Sequence, residues 1–205
     1  MKRAACLIVG VFLTFICLAD PSRPFGTNLL SNVDNLDIKA DQWSITNGVL
    51  TKNSLLYQGD KLLVVKASVV EVPIWYVLTC SLTNVQKRSG PLPEAGLIFG
   101  YVDDKNYWSV TIGGEQTAPI LKLTQVAGGR VVTEKRVPFV MKADQEEVQL
   151  RVEVHHQIWV KAHVNNSKEL IHNVSGGITQ GRIGLALTSG ACDFSRGKIS
   201  GIGKH

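Results

Sequence analysis

The sequence predicts an all-β protein, an antiparallel two-sheet β-sandwich of jelly-roll type. Three observations predict it. Short segments rich in Val, Ile, Leu, Tyr and Trp follow one another along most of the chain, which is strand composition. Polar or Gly-containing breaks such as "DDK", "GGEQTA", "AGG" and "NNSKE" separate them, as turns between antiparallel neighbours do. No window long enough for a helix carries an apolar stripe of helical period, so nothing is available to connect parallel strands.

The chain opens with "MKRAACLIVGVFLTFICLAD": basic Lys2 and Arg3, an apolar run over 4–19, then polar sequence from Asp20. Small Cys17 and Ala19 fit positions −3 and −1 of a signal-peptidase site. The run is shorter than the roughly 20 apolar residues that span a bilayer. Residues 1–19 are therefore read as a signal peptide and 20–205 as one secreted domain, periplasmic or extracellular, with no membrane partner after cleavage. The strands predicted next are "SLLYQ" (54–58), "KLLVVKASVV" (61–70), "IWYVLTCSL" (74–82), "AGLIFGYV" (95–102) and "NYWSVTI" (106–112). "PILKLTQV" (119–126), "RVVTEKRV" (130–137), "EVQLRVEV" (147–154), "IWVKAHV" (158–164) and "GRIGLAL" (181–187) follow. The longest breaks, 83–94 and 165–180, are expected to be loops.

Parity assigns faces. Trp108, Val110 and Ile112 alternate with Tyr107, Ser109 and Thr111; Val148, Leu150, Val152 and Val154 alternate with charged or amide residues. Each such strand has one apolar and one polar face, as in a sheet packed on one side and wet on the other. The wet face is expected to carry Tyr107, Lys122, Arg151, Trp159, Lys161 and His163. Trp43, Trp75 and Trp108 are read as core. Trp159 has two readings: cross-strand packing or cover by a loop at 165–180, or a flat platform for a ligand. With Tyr107, Lys122 and Arg151 on one concave sheet it would make a sugar-binding surface.

Signal cleavage removes two of the four cysteines and leaves Cys80 and Cys192. Both fall on core-facing parity, Cys80 with Leu78 and Leu82, Cys192 with Phe194. In an oxidising compartment they are expected to form one disulfide, stabilising by about 4–5 kcal/mol in the chain-entropy account; the alternative is two buried thiols. The chain has 22 Lys and Arg against 17 Asp and Glu. The basic residues are dispersed, with no run that makes a nucleic-acid patch, so no nucleic-acid partner is expected.

Three stretches together resemble a known family. "QWSITNGVL" (42–50) is similar to the W-x-x-x-x-G-x-L opening of exported jelly-roll domains. "AGLIFGYVDDKNYWSVTI" (95–112) resembles a hairpin of concanavalin A-like, laminin G-like domains. "LRVEVHHQIWVKAHVN", then "GRIGLALTSGACDF", resembles their closing strands. The resemblance spans nearly the whole mature chain and implies a concanavalin A-like sandwich, a fold that carries lectins, hydrolases and adhesive modules. More distantly, the opening and export signal resemble the 3-keto-disaccharide hydrolases, although "PEAGLIFG" stands where that family has a Gly-Asn-Ser-Gly strand.

No Glu-x-Asp-x-x-Glu strand occurs. Glu147 and Glu153 share a face but stand on the order of 20 Å apart, too far for the carboxyl pair of a glycosidase, which needs about 5–9.5 Å. A partner such as Asp103, Asp104 or Glu134 from another strand stays open. Glu153 beside Arg151 reads as a surface ion pair. His155 and His156 read as solvated turn residues rather than zinc ligands. Asp103 and Asp104 are candidate calcium ligands, with tight-turn formation as the competing role; otherwise no cofactor is expected. The leading expectation is non-catalytic carbohydrate binding through the concave sheet; the alternatives are a structural or protein-interaction module that meets a partner protein and, ranked after it, a glycoside-processing hydrolase of the 3-keto-disaccharide type.

Overall fold

A computed structural model of the protein describes residues 26–37, 43–52, 62–69, 72–85, 90–142, 145–156, 158–166, 168–174, 177–178 and 181–201. The signal peptide and the strand expected at 54–58 lie outside the described residues. The strands are β1 (Gly26–Asn28), β2 (Leu36–Asp37), β3 (Trp43–Thr46), β4 (Val49–Lys52), β5 (Leu62–Val65), β6 (Trp75–Thr83), β7 (Glu94–Asp103) and β8 (Asn106–Glu115). They continue with β9 (Ala118–Ala127), β10 (Arg130–Pro138), β11 (Glu147–His155), β12 (Trp159–Val164), β13 (Lys168–Asn173), β14 (Arg182–Ser189) and β15 (Asp193–Gly201).

Two antiparallel sheets result. Sheet A is eight-stranded, in the order β13-β12-β11-β6-β15-β4-β3 with β1 on β15; sheet B is seven-stranded, β10-β9-β8-β7-β14-β5-β2. The chain changes sheet between β6 and β7, runs a meander through β10, returns to sheet A for β11–β13, then gives one strand to each sheet. The three stretches that resemble jelly-roll domains are hairpins or strand pairs. Asn47 and Gly48 join β3 to β4 with φ of 52° and 74°, the left-handed pair of a tight hairpin turn. β7–β8 and β11–β12 are the other two hairpins.

The inner faces meet in one core, with Trp43, Tyr76, Phe99 and Phe194 fully buried. Trp43 and Trp108 are core, as expected. Trp75 is not: it is half-buried and opposite in parity to Tyr76 and Leu78. Residues 168–173 form an edge strand beside β12 instead of a loop, so they extend sheet A in its plane and do not cover Trp159.

The expected Cys80–Cys192 bridge is absent. Both thiols are buried and free. β6 and β15 are neighbours, but Asp193 pairs with Thr83. Asp193, the first residue of β15, is thus already three residues along β6 from Cys80, on the order of 10 Å, so the register does not bring Cys192 level with Cys80; a disulfide needs Cα atoms within about 7 Å. Burial pushes the Cys80 thiol up to about 12 and raises Cys192 as well, so neither is a ready nucleophile. Dithiothreitol is expected to leave the melting temperature unchanged, measured by thermal unfolding with and without reductant. A drop matching the roughly 4–5 kcal/mol of a lost long-loop bridge would contradict the free-thiol arrangement.

Candidate functional site

The four residues expected to share a platform divide between the two outer faces. Tyr107 and Lys122 lie on β8 and β9 of sheet B; Arg151 and Trp159 lie on β11 and β12 of sheet A. Parity had correctly turned all four away from the core. It carried no information on which sheet owns each strand, and sandwich topology puts them on opposite sides of the molecule.

On sheet B, two cross-strand rows run over β10, β9, β8 and β7. One is Arg136, Lys122, Thr111, Gly96; the next is Glu134, Thr124, Ser109, Ile98. Three of their four middle members, Thr111, Thr124 and Ser109, are short hydroxyl side chains, which the alternating patterns "WSVTI" and "KLT" put on the outward face. They are not wet, contrary to expectation: Ser109, Thr111 and Thr124 are 7%, 2% and 7% exposed. Long side chains border this recessed floor. Lys122 pairs with Glu94, and Arg136 with Glu134 at 2.6 Å. The hydroxyls of Thr111 and Thr124 are shielded and have no hydrogen-bond partner among the described residues. Such groups are costly to bury unpaired, and this floor is the feature that residue-by-residue reading missed.

One end of the floor is aromatic. Tyr101 and Tyr107 lie 6.4 Å apart, beside Val64, Ile98 and Ala186. The Tyr101 hydroxyl donates to Asp104 at 2.7 Å, and Arg182 stacks on the Tyr101 ring at 5.1 Å. Burial, then the Asp104 bond and charge, push the Tyr101 phenol up to about 12. Asp103 accepts from the Lys105 backbone at 2.8 Å and from the Asn106 amide at 2.9 Å, which holds its pKa below the ordinary value. The aspartates expected either to bind calcium or to shape the turn thus each have their Oδ1 engaged within the turn segment. No cluster of three or more His, Cys, Asp or Glu side chains suited to a metal occurs among the described residues.

On sheet A, Trp75, His155 and Trp159 lie side by side across β6, β11 and β12. Trp75 and Trp159 meet edge to face, with centroids 6.2 Å apart and planes at 84°. Lys161 sits over the Trp159 ring at 4.8 Å. Trp159 therefore faces outward, as parity said, but it packs against its strand neighbours and does not lie as an open flat platform. Exposed Ile74, Ile158 and Ile171 extend this patch. Arg151 pairs with Glu153 at 2.8 Å, the expected ion pair.

The turn histidines are not solvated. His155 is wedged between Trp75 and Trp159. His156 is 5% exposed and edge-on to Tyr76 at 5.4 Å. Burial, then the neighbouring His155 charge, lower the His156 pKa; burial and then Lys135 lower that of His172. Both bind protons less readily folded than unfolded. Their contribution is therefore intact above the ordinary value of 6.5 and is lost as pH falls below it. Melting temperature is expected to fall between about pH 7 and pH 5, with a shallower slope in His156→Phe. An identical slope in the variant would mean that His156 is protonated equally in both states.

No family model and no curated protein matches this sequence. Solved structures do. A legume lectin-like domain from Entamoeba histolytica is similar at TM-score 0.57 and 14% identity, covering 83% of this chain and 92% of that one. The carbohydrate-binding module CBM66 from Bacillus subtilis gives TM-score 0.54 and 18% identity, with coverages of 76% and 89%. The Bacteroides ovatus xyloglucan PUL GH43B protein gives 0.51 and 16%; 80% of this chain matches, over only 34% of that longer chain. The fold is that of a lectin-like β-sandwich.

Proposed function

We propose that this chain is an exported, non-catalytic glycan-binding module whose sugar site is the polar floor on the outer face of sheet B. The observation that carries the reading is the pair of shielded, unpartnered Thr111 and Thr124 hydroxyls between Lys122–Glu94 and Arg136–Glu134. A sugar presents vicinal hydroxyls that both donate and accept. Ser109, Thr111 and Thr124 supply short hydroxyl partners, Lys122 and Arg136 supply donors, and Glu94 and Glu134 supply acceptors. Tyr107 and Tyr101 offer apolar ring surface for the C–H face of the sugar. Fold likeness to a carbohydrate-binding module and a lectin-like domain supports the reading.

A glycan-array and polysaccharide screen of residues 20–205 tests it, with Lys122→Ala and Trp159→Ala alongside. Lys122→Ala is expected to weaken binding about tenfold or more, the loss of a charged hydrogen bond, and Trp159→Ala to leave it within about twofold. Loss on Trp159→Ala alone would move the site to sheet A. Silence across the array would sink the reading and favour a protein-interaction module, which rests on the apolar patch of Trp75, Trp159, Ile74, Ile158 and Ile171.

A further inference from the structure

Beyond the aromatic row, the outer face of sheet A turns polar. Thr79, Arg151 and His163 lie in one cross-strand row, and Ser81 lies beside Gln149. A cavity of about 200 Å³ opens here, lined among others by Thr79, Ser81, Gln149, Arg151, Asn166 and Arg196. Among the described residues, no acidic side chain lines it. Carboxylates instead hold the two guanidinium groups from the side. Arg151 Nη2 is 2.8 Å from Glu153, and Arg196 Nη1 is 3.1 Å from Glu147. Glu147 is in turn fixed by the Ser81 hydroxyl at 2.7 Å and the Gln149 amide at 3.2 Å. Arg151 Nε is shielded and has no hydrogen-bond partner among the described residues.

Arg196 arrives by an unusual route. The β15–β6 register shifts between Ser195 and Lys198, and Arg196 takes φ 52°, a left-handed conformation that arginine seldom adopts. The bulge is pinned from the other side. Leu29 N–H donates to the Gly197 carbonyl at 2.8 Å, and Leu30 packs so closely that a Cβ on Gly197 would lie 2.9 Å from its Cγ. Bulges re-aim side chains, and strained backbone persists where surrounding packing enforces it. Here the re-aimed side chain is a cation, delivered to a cavity that already holds another.

We infer that this cavity is an anion site in which Arg151 and Arg196 clamp the carboxylate or sulfate group of an acidic polysaccharide. A guanidinium fork matches two oxygens of either group. The Thr79 hydroxyl and Asn166 amide are placed for the flanking sugar hydroxyls. An open sheet face admits a chain rather than only a small ion, and Lys198, paired in register with Thr79, adds positive charge nearby. This site stands on the opposite sheet from the proposed sugar floor and does not depend on it.

Affinity electrophoresis of residues 20–205 through polygalacturonate, dextran sulfate and neutral dextran, at about 150 mM salt where long-range attraction is screened, tests the inference. The wild type is expected to be retarded by at least one acidic polymer and not by dextran; which one identifies carboxylate or sulfate. Arg151→Gln and Arg196→Asn, the latter chosen because Asn tolerates the left-handed backbone, are each expected to weaken retardation about tenfold. Arg130→Gln, removing an exposed charge from sheet B, is expected to change it less than about twofold. No retardation by either acidic polymer overturns the site. An equal loss in Arg130→Gln, which marks general charge attraction, also overturns it.

Discussion

Gly96→Ala is expected to lower the unfolding free energy by about 3 kcal/mol, at the upper end for overpacking. Gly113→Ala, on the neighbouring strand, is expected to be neutral or stabilising by up to about 1 kcal/mol. Both glycines belong to the outer surface of sheet B, and neither has a left-handed φ. They differ in what a methyl group meets. At Gly96 a Cβ would lie 2.0 Å from the Val110 carbonyl oxygen and 2.8 Å from the Thr111 Cα, both backbone atoms of β8. At Gly113 its nearest neighbour would be the Glu94 side chain at 3.8 Å, an ordinary contact. Backbone in the middle of a paired sheet cannot give way as a side chain can, so β7 and β8 would have to separate or slip. Gly96 pairs with Thr111, and the hydroxyl floor would move with it. Urea unfolding of both variants, followed by glycan binding of whichever remains folded, checks this. Equal stabilities would mean that the close approach at Gly96 relaxes freely.

That glycine shows where reading the chain succeeds and where it stops. Alternation in "NYWSVTI" and "EVQLRVEV" correctly separated inner from outer side chains, because a strand has period two whatever sheet it joins. Hairpins were legible where turn residues announced them, as at Asn47-Gly48 and in "VDDKNY". Membership of a sheet was not legible, since it depends on pairings between distant strands; hence Tyr107 and Arg151 seemed to share one face. Cys80 and Cys192 failed for a related reason: parity gives side and not register, and the register of β15 on β6 does not bring them level. The strand at 168–173 was hidden because its sequence, "KELIHN", mixes charge and apolar residues as edge strands do. His156 was read as a solvated residue because it stands in a turn, yet that turn folds over Tyr76.

The tryptophans carry the second large effect. Trp43→Ala and Trp108→Ala are each expected to destabilise by about 3–5 kcal/mol, the range for removing a buried aromatic side chain. These two are 2% and 5% exposed, and Trp108 also packs on Phe99 at 6.3 Å and His172 at 5.7 Å. Trp75→Ala and Trp159→Ala are expected to cost only about 1–2 kcal/mol, set by the edge-to-face pair between them and partial burial. Removing either leaves a surface that solvent refills, whereas removing Trp43 or Trp108 leaves a cavity between the sheets. Trp75 discriminates best, because its segment "IWYVLTCSL" is apolar enough to place it inside, and only the burial of Tyr76 and Leu78 on the opposite parity puts it out. Urea unfolding of the four variants measures the contrast. If Trp75→Ala or Trp159→Ala cost as much as Trp43→Ala, the outer face of sheet A would have to be covered in solution. The aromatic row would then belong to an interface instead of an open surface.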